Sequence, residues 1–160
     1  MAKQTKTNAM RILDSKKIDY ELITYDSLDG KIDGVSVAEK IGKDPKQVYK
    51  TLVAQGASKQ LYVFIVPVEK ELNLKKGAQA CGEKKIEMIP VKDIQKWTGY
   101  IRGGCSPVGM KKQYPTVIDE SAEELSSIIV SGGKIGVQME LKLQDLISVT
   151  GGKLAELANE

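Results

Sequence analysis

Asp44–Val68, DPKQVYKTLVAQGASKQLYVFIVPV, decides how the rest of the chain is read. The runs KTLVAQ and LYVFIVPV are rich in β-branched and aromatic residues, and GASK between them supplies a turn. The segment therefore predicts an antiparallel hairpin. Asp44 followed by Pro45 predicts a short capped helix ahead of it. One residue does not fit an apolar strand. Lys50 stands between Val48-Tyr49 and Leu52-Val53. Either its stem packs while the ammonium snorkels to water, or a partly desolvated charge is aimed at something. The stretch alone leaves both open.

Working outward, Thr5–Ile18 reads as a helix with Ala9, Ile12 and Leu13 on an apolar face and Lys16-Lys17 on a basic one. DYELITY, Asp19–Tyr25, has strand composition, and DSLDGKIDG after it is a loop. SVAE at Ser36–Glu39 has the spacing of a capping box, with Gly42 closing that helix. Beyond the hairpin, ELNLKKGAQACG predicts a helix closed by Gly82, and PVKDIQKWTG another closed by Gly99. GYIRGGCSPVGMKK is a glycine-rich connection and PTVIDES a strand. SAEE from Ser121 is a second capping box opening a short helix, and SSIIVSGGKIGVQMEL gives two strands joined by SGGKIG. KLQDLISVTGG is the closing helix. Strands in consecutive runs with helices between the groups predict an α+β fold with a mixed, mostly antiparallel sheet. The absence of repeats and linkers predicts one domain over residues 1–160.

Composition narrows the chemistry. The 160 residues are 41% apolar and 28% charged, ordinary for a globular protein. No apolar run nears the roughly 18 residues of a membrane span, and MAKQTKTNAMRIL lacks the apolar core of a signal peptide. Cys81 and Cys105 are far apart and in no metal-like spacing, against a disulfide framework or zinc site. The expectation is a cytoplasmic protein with no membrane contact, no metal and no cofactor. The chain contains no histidine, which removes Ser-His and Cys-His dyads and the usual imidazole acid or base. An enzyme of this composition works with Lys, Asp/Glu, Tyr, hydroxyls and backbone N–H groups, or relies on a reactive group of its substrate. The net charge is +3, but Lys75-Lys76, Lys84-Lys85 and Lys111-Lys112 are local lysine pairs, and Lys134 lies in a glycine-rich loop. Such pairs meet phosphate backbones or are simply solvated.

Two glycine-rich loops, GGCSPVG at Gly103–Gly109 and SGGKIG at Ser131–Gly136, let backbone N–H groups approach a ligand or serve as tight turns. Neither is a P-loop, dinucleotide fingerprint or nucleophile elbow. Ser106 has no histidine base. The two cysteines read as small buried or half-buried hydrophobes, and Trp97 as core. Turn formation accounts for Asp26 and Asp29.

VYKTLV (Val48–Val53), GYIRGGCSPVGMKK (Gly99–Lys112) and VSGGKIGVQMEL (Val130–Leu141) occur together in that order. With these motifs the chain, from about Thr5 to Leu157, resembles the YbaK/EbsC family, the bacterial Cys-tRNA(Pro) deacylases related to the inserted editing domain of prolyl-tRNA synthetases. The resemblance implies a barrel-like mixed sheet and a pocket for the aminoacylated 3′ end of tRNA. It implies that Lys50 is the central catalytic residue, that Gly103 and Gly104 line the substrate carbonyl, and that Ser131, Gly132 and Tyr25 bind substrate. Lys111, Lys112 and Lys134 would then meet the tRNA, with prolyl-tRNA synthetase as a partner. Two positions depart from the family pattern: Asp33 replaces an aromatic residue before Gly34, and Gln138 stands where several members have an aspartate. The family chemistry uses the thiol of the substrate cysteine to attack its own ester, which suits a chain without histidine. An editor of another small residue, such as alanine on tRNA(Pro), and a non-catalytic module that binds tRNA ends or nucleotides are the alternatives.

Overall fold

Thr7 starts the first helix because its Oγ accepts the Met10 N–H, satisfying one of the free donors of the first turn. The structure, a computed structural model, describes residues 6–31 and 33–159. Helix α1 (Asn8–Ser15) buries Ala9, Met10 and Leu13. It ends before the expected Ile18 because Lys17 turns to a φ of 58°; the expected start at Thr5 lies outside the described residues. Strand β1 (Tyr20–Thr24) and helix α2 (Gly34–Lys40) follow. The hairpin is present as β2 (Tyr49–Gly56) and β3 (Leu61–Pro67), with Lys50 opposite Val66. Then come α3 (Leu74–Cys81), β4 (Ile86–Met88) and α4 (Ile94–Thr98). Strand β5 (Thr116–Asp119), a 3₁₀ turn at Glu120–Glu124, β6 (Ser127–Lys134), β7 (Val137–Lys142), α5 (Leu143–Thr150) and β8 (Lys153–Ala155) complete the order.

Three local expectations are corrected. The cap of α2 is Asp33, whose carboxylate accepts the Ser36 N–H at 3.1 Å and its hydroxyl at 2.7 Å. Likewise Asp119, not Ser121, caps the 3₁₀ turn, accepting the Ser121 N–H at 3.2 Å. In both places a serine was read as the cap although an aspartate lies just upstream, and a carboxylate is favoured at a helix N-terminus by its charge. Asp44 opens a turn rather than a helix: its side chain accepts the Lys46 N–H, and by Val48 the chain is already bridged to Ile129.

The strands form two sheets, in the orders β1-β7-β6 and β4-β2-β3-β5-β8. Pairing is antiparallel except β3 with β5 and β5 with β8, so the mixed, mostly antiparallel arrangement is found. A parallel bridge between Val48 and Ile129 joins the two sheets at one seam, and the sheet curls without closing into a barrel. Side-chain alternation then sorts β2 into two faces. Tyr49 and Val53 enter the main core with Ile65, Ile128, Val130, Met139 and Leu146. Val48, Leu52 and Ala54 face the other way. β4 and β8, three residues each, are too short to show a period and escaped the sequence reading.

Candidate functional site

Lys50 lies where two apolar clusters meet without merging. Val48 and Val68 pack with Ala38 of α2, and Leu52 and Val66 pack with Ala78 of α3. Between them the lysine stem is covered while the ammonium reaches the surface, the side chain retaining 24% exposure. Its recorded partner is Glu71, Oε1 at 3.4 Å, a carboxylate 80% exposed. An exposed pair of this length is worth about 0–1 kcal/mol, so Lys50 is a positive charge only loosely engaged.

The parallel bridge extends this face onto the three-stranded sheet. Ile129 shares the α2 cluster with Val48, so two residues on, Lys50 and Ser131 stand on one face where β2 and β6 diverge. Gln138 is the register partner of both Ser131 and Ile23, and alternation places Tyr25 beyond Ile23 on the same face. Lys50, Ser131, Gln138 and Tyr25 are thus collected on one floor. Gln138 is buried, and the Tyr25 hydroxyl is buried without a hydrogen-bond partner among the described residues, as is Thr51 Oγ on the opposite face of β2. A buried hydroxyl without a partner is costly.

Loops border this face. Lys40 donates to the Asp26 carbonyl at 2.6 Å, the Asp29 carboxylate at 2.7 Å and the Lys31 carbonyl at 3.0 Å, and lies 6.0 Å from the Tyr25 ring. That hydrogen bond from Lys40 is the main reason the Asp29 carboxyl is held below its ordinary range. On the other side the two glycine loops meet. A Cβ on Gly104 would lie 2.8 Å from the backbone of Lys134 and Ile135, so only glycine admits this contact. The tip of the β6–β7 hairpin is held from its other side by Tyr25, whose N–H donates to the Gly136 carbonyl at 2.9 Å. Gly103 takes a φ of 86°, and the Gly104 N–H is spent on the Ile101 carbonyl at 3.0 Å. Ser131 Oγ accepts the Gly133 N–H at 3.2 Å, and the Gly132 carbonyl accepts from Thr7 Oγ at 2.5 Å, tying α1 to the loop.

Lys50, Tyr25, Gly103, Gly104, Ser131, Gly132 and Lys134 therefore share one region. Lys111 and Lys112 stand apart. Lys111 leans on Gly99 and reaches the Lys96 carbonyl at 3.4 Å. Lys112 lines a shallow groove of about 160 Å³ with Gln55, Gln60, Trp97 and Tyr114. Along β2, Gln55 is about 17 Å from Lys50 and on the opposite face. Trp97, expected in the core, is 39% exposed, with Lys96 Nζ 4.9 Å from its ring centroid. Ser106 is buried with its Oγ accepting the Val108 N–H. Burial pushes the Cys81 and Cys105 thiols up to about 11. Asp33 is occupied as the α2 cap, its carboxyl held low mainly by the Ser36 hydroxyl. Glu71 went unnoticed in the sequence: a glutamate in VEKEL carries no local signal, and only the fold brings it to Lys50.

Residues 33–149 match the sequence profile of the aminoacyl-tRNA editing domain family. An Enterococcus faecalis protein, EbsC, named as a candidate Cys-tRNA(Pro)/Cys-tRNA(Cys) deacylase, is 45% identical over 98% of this chain and 96% of its own. A proline–tRNA ligase of Trichlorobacter lovleyi is 26% identical over 61% of this chain, which corresponds to 17% of the ligase. Among solved structures, a candidate trans-editing enzyme for prolyl-tRNA synthetase superimposes with a TM-score of 0.84 at 21% identity, covering 98% of this chain and 100% of that one, a likeness of fold.

Proposed function

The chain belongs to the aminoacyl-tRNA editing domain family, and from that premise we propose that it is a trans-acting deacylase that cleaves the ester of Cys-tRNA(Pro). The observation that carries the reading is Lys50, a loosely paired ammonium on the same face as Ser131, Gln138 and Tyr25, whose buried hydroxyl has no partner among the described residues. An ester carbonyl develops negative charge on oxygen as it is attacked, and an ammonium in a partly dry site stabilises that charge. Tyr25 donates to a substrate polar atom. Gly103, Gly104, Ser131 and Gly132 shape the wall against which the acyl group lies.

The nucleophile is the substrate. Ser106 is buried and engaged, and both protein thiols stay protonated near neutral pH. The cysteinyl thiol loses its proton, its sulfur bonds to the carbonyl carbon, and the C–O bond to the ribose breaks. The released ribose oxygen takes a proton, leaving a four-membered thiolactone that water opens to cysteine. That ring is strained, so the site must hold sulfur and carbonyl in near-attack geometry, an effect worth about 7–11 kcal/mol in favourable cases. Lys134 meets the tRNA near this face, and Lys111, Lys112 and the Trp97 groove contact its phosphates and bases farther out, with prolyl-tRNA synthetase supplying the mischarged substrate.

The test is single-turnover deacylation of one tRNA(Pro) body carrying cysteine, S-methylcysteine, serine or alanine. Fast loss of cysteine alone supports the reading. Equal rates for cysteine and serine overturn the thiol route, and preference for alanine moves the assignment to an alanine editor. A Cys105→Ala/Ser106→Ala double variant is expected to keep most of the activity.

A further inference from the structure

We propose that Glu71 is a further specificity residue, taking the α-ammonium of the aminoacyl group; this rests on the deacylase reading and deepens it. An aminoacyl ester presents two features to the site, a carbonyl and, on the adjacent carbon, an amino group that is substantially protonated near neutral pH. Lys50 serves the first and repels the second. A small site that holds both cations needs a carboxylate within reach.

Four acidic side chains near the floor, Glu140, Asp33, Asp29 and Asp26, are otherwise engaged. Gln138 is neutral. Glu140 accepts from Ser127 Oγ at 2.5 Å and Gln47 Nε2 at 2.9 Å and pairs with Lys43 at 3.4 Å. Asp33 caps α2, and Asp29 is held by Lys40. The Asp26 side chain accepts the Leu28 N–H at 2.9 Å. Glu71 alone among these points its carboxylate at Lys50, with its side chain mostly in solvent.

Its backbone is fixed even though its side chain is exposed. The Glu71 carbonyl accepts the Asn159 N–H at 3.0 Å, Leu72 is bridged to Ala158, and the Asn73 N–H donates to the Leu157 carbonyl at 2.8 Å. The segment is clamped to the C-terminal residues, which Asp119 in turn holds through the Leu157 and Ala158 N–H groups at 2.9 and 3.0 Å. A carboxylate on a rigid base beside the lysine suits an exchange of partners. In the empty site Glu71 balances Lys50; when substrate enters, the α-ammonium takes Glu71 and Lys50 turns to the ester oxygen.

The experiment compares Cys-tRNA with N-acetyl-Cys-tRNA on the same tRNA, for the unmodified chain, Glu71→Gln, and Glu71→Gln combined with Gln138→Glu. The unmodified chain is expected to favour the free amine by about tenfold or more in kcat/KM, the scale of one charged hydrogen bond. Glu71→Gln removes that preference while cleaving the acetylated substrate at least as fast as before, and Gln138→Glu restores part of it. Equal slowing of both substrates by Glu71→Gln, or an intact preference, overturns the assignment and leaves the deacylase reading standing. Failure of the unmodified chain to cleave either substrate removes both.

Discussion

Asp119 and Lys50 are both charged residues on strands of the same five-stranded sheet, and they are treated in opposite ways. Asp119 is 5% exposed and fully engaged: its carboxylate accepts from the Ser121 N–H and hydroxyl and from the Leu157 and Ala158 N–H groups. Lys50, at the seam between two clusters, has among the described residues one long contact, to an exposed glutamate. A charge whose hydrogen-bonding capacity is filled by the fold does structural work. A charge left nearly unspent is one that a ligand can engage.

The largest structural effect is expected at Asp119. Asp119→Ala strands two buried N–H groups of the C-terminal segment and should lower unfolding free energy by about 3 kcal/mol or more, read as a shift of the urea midpoint. Lys50→Met should cost under about 1 kcal/mol in the same titration. Equal losses would break the comparison.

Gly104→Ala ranks next. Its new methyl would meet the Lys134–Ile135 backbone at 2.8 Å, so about 1–3 kcal/mol of destabilisation is expected together with a loss of kcat/KM, since the hairpin tip moves with it.

Acid sharpens the contrast. Burial raises the Asp119 carboxyl, but the hydrogen bonds from Ser121, Leu157 and Ala158 outweigh it and leave it below 3.8. A depressed folded-state pKa stabilises fully above the unfolded value and loses that contribution as pH falls through the folded one. Tm measured downward from pH 5 should drop through this range, and Asp119→Asn should flatten the fall.

The smallest effect concerns the thiols. With Cys81 and Cys105 near 11, about one thiol in a thousand is ionised at pH 8. Iodoacetamide should therefore label the folded protein hardly at all, and the urea-unfolded chain fully.

Much of the architecture was legible because its signals are local. The hairpin around GASK, the glycine stops at Gly82 and Gly99, and the α+β class follow from composition and period. The caps were misassigned because serine and aspartate compete for the same role within a few residues, and the three-residue edge strands have no period to read. For the site, Lys50 announced itself by standing in an apolar run. Gly104 and Lys134 were noted separately, but their contact depends on a register no single stretch encodes. Glu71 and the exposure of Trp97 depend on the C-terminal clamp and on the packing of α4, which are tertiary facts.

The most direct measurement is single-turnover deacylation of Cys-tRNA(Pro) by the unmodified chain, Lys50→Ala and Lys50→Arg, with Tm recorded on the same preparations. A charge held in reserve for the ester predicts loss of about 100–1000-fold in Lys50→Ala, the cost of deleting one transition-state stabiliser, at nearly unchanged Tm. Arginine, larger and planar, should not rescue it. Near-normal cleavage by a folded Lys50→Ala protein would contradict the account, and so would a loss of activity that merely follows a fall in Tm.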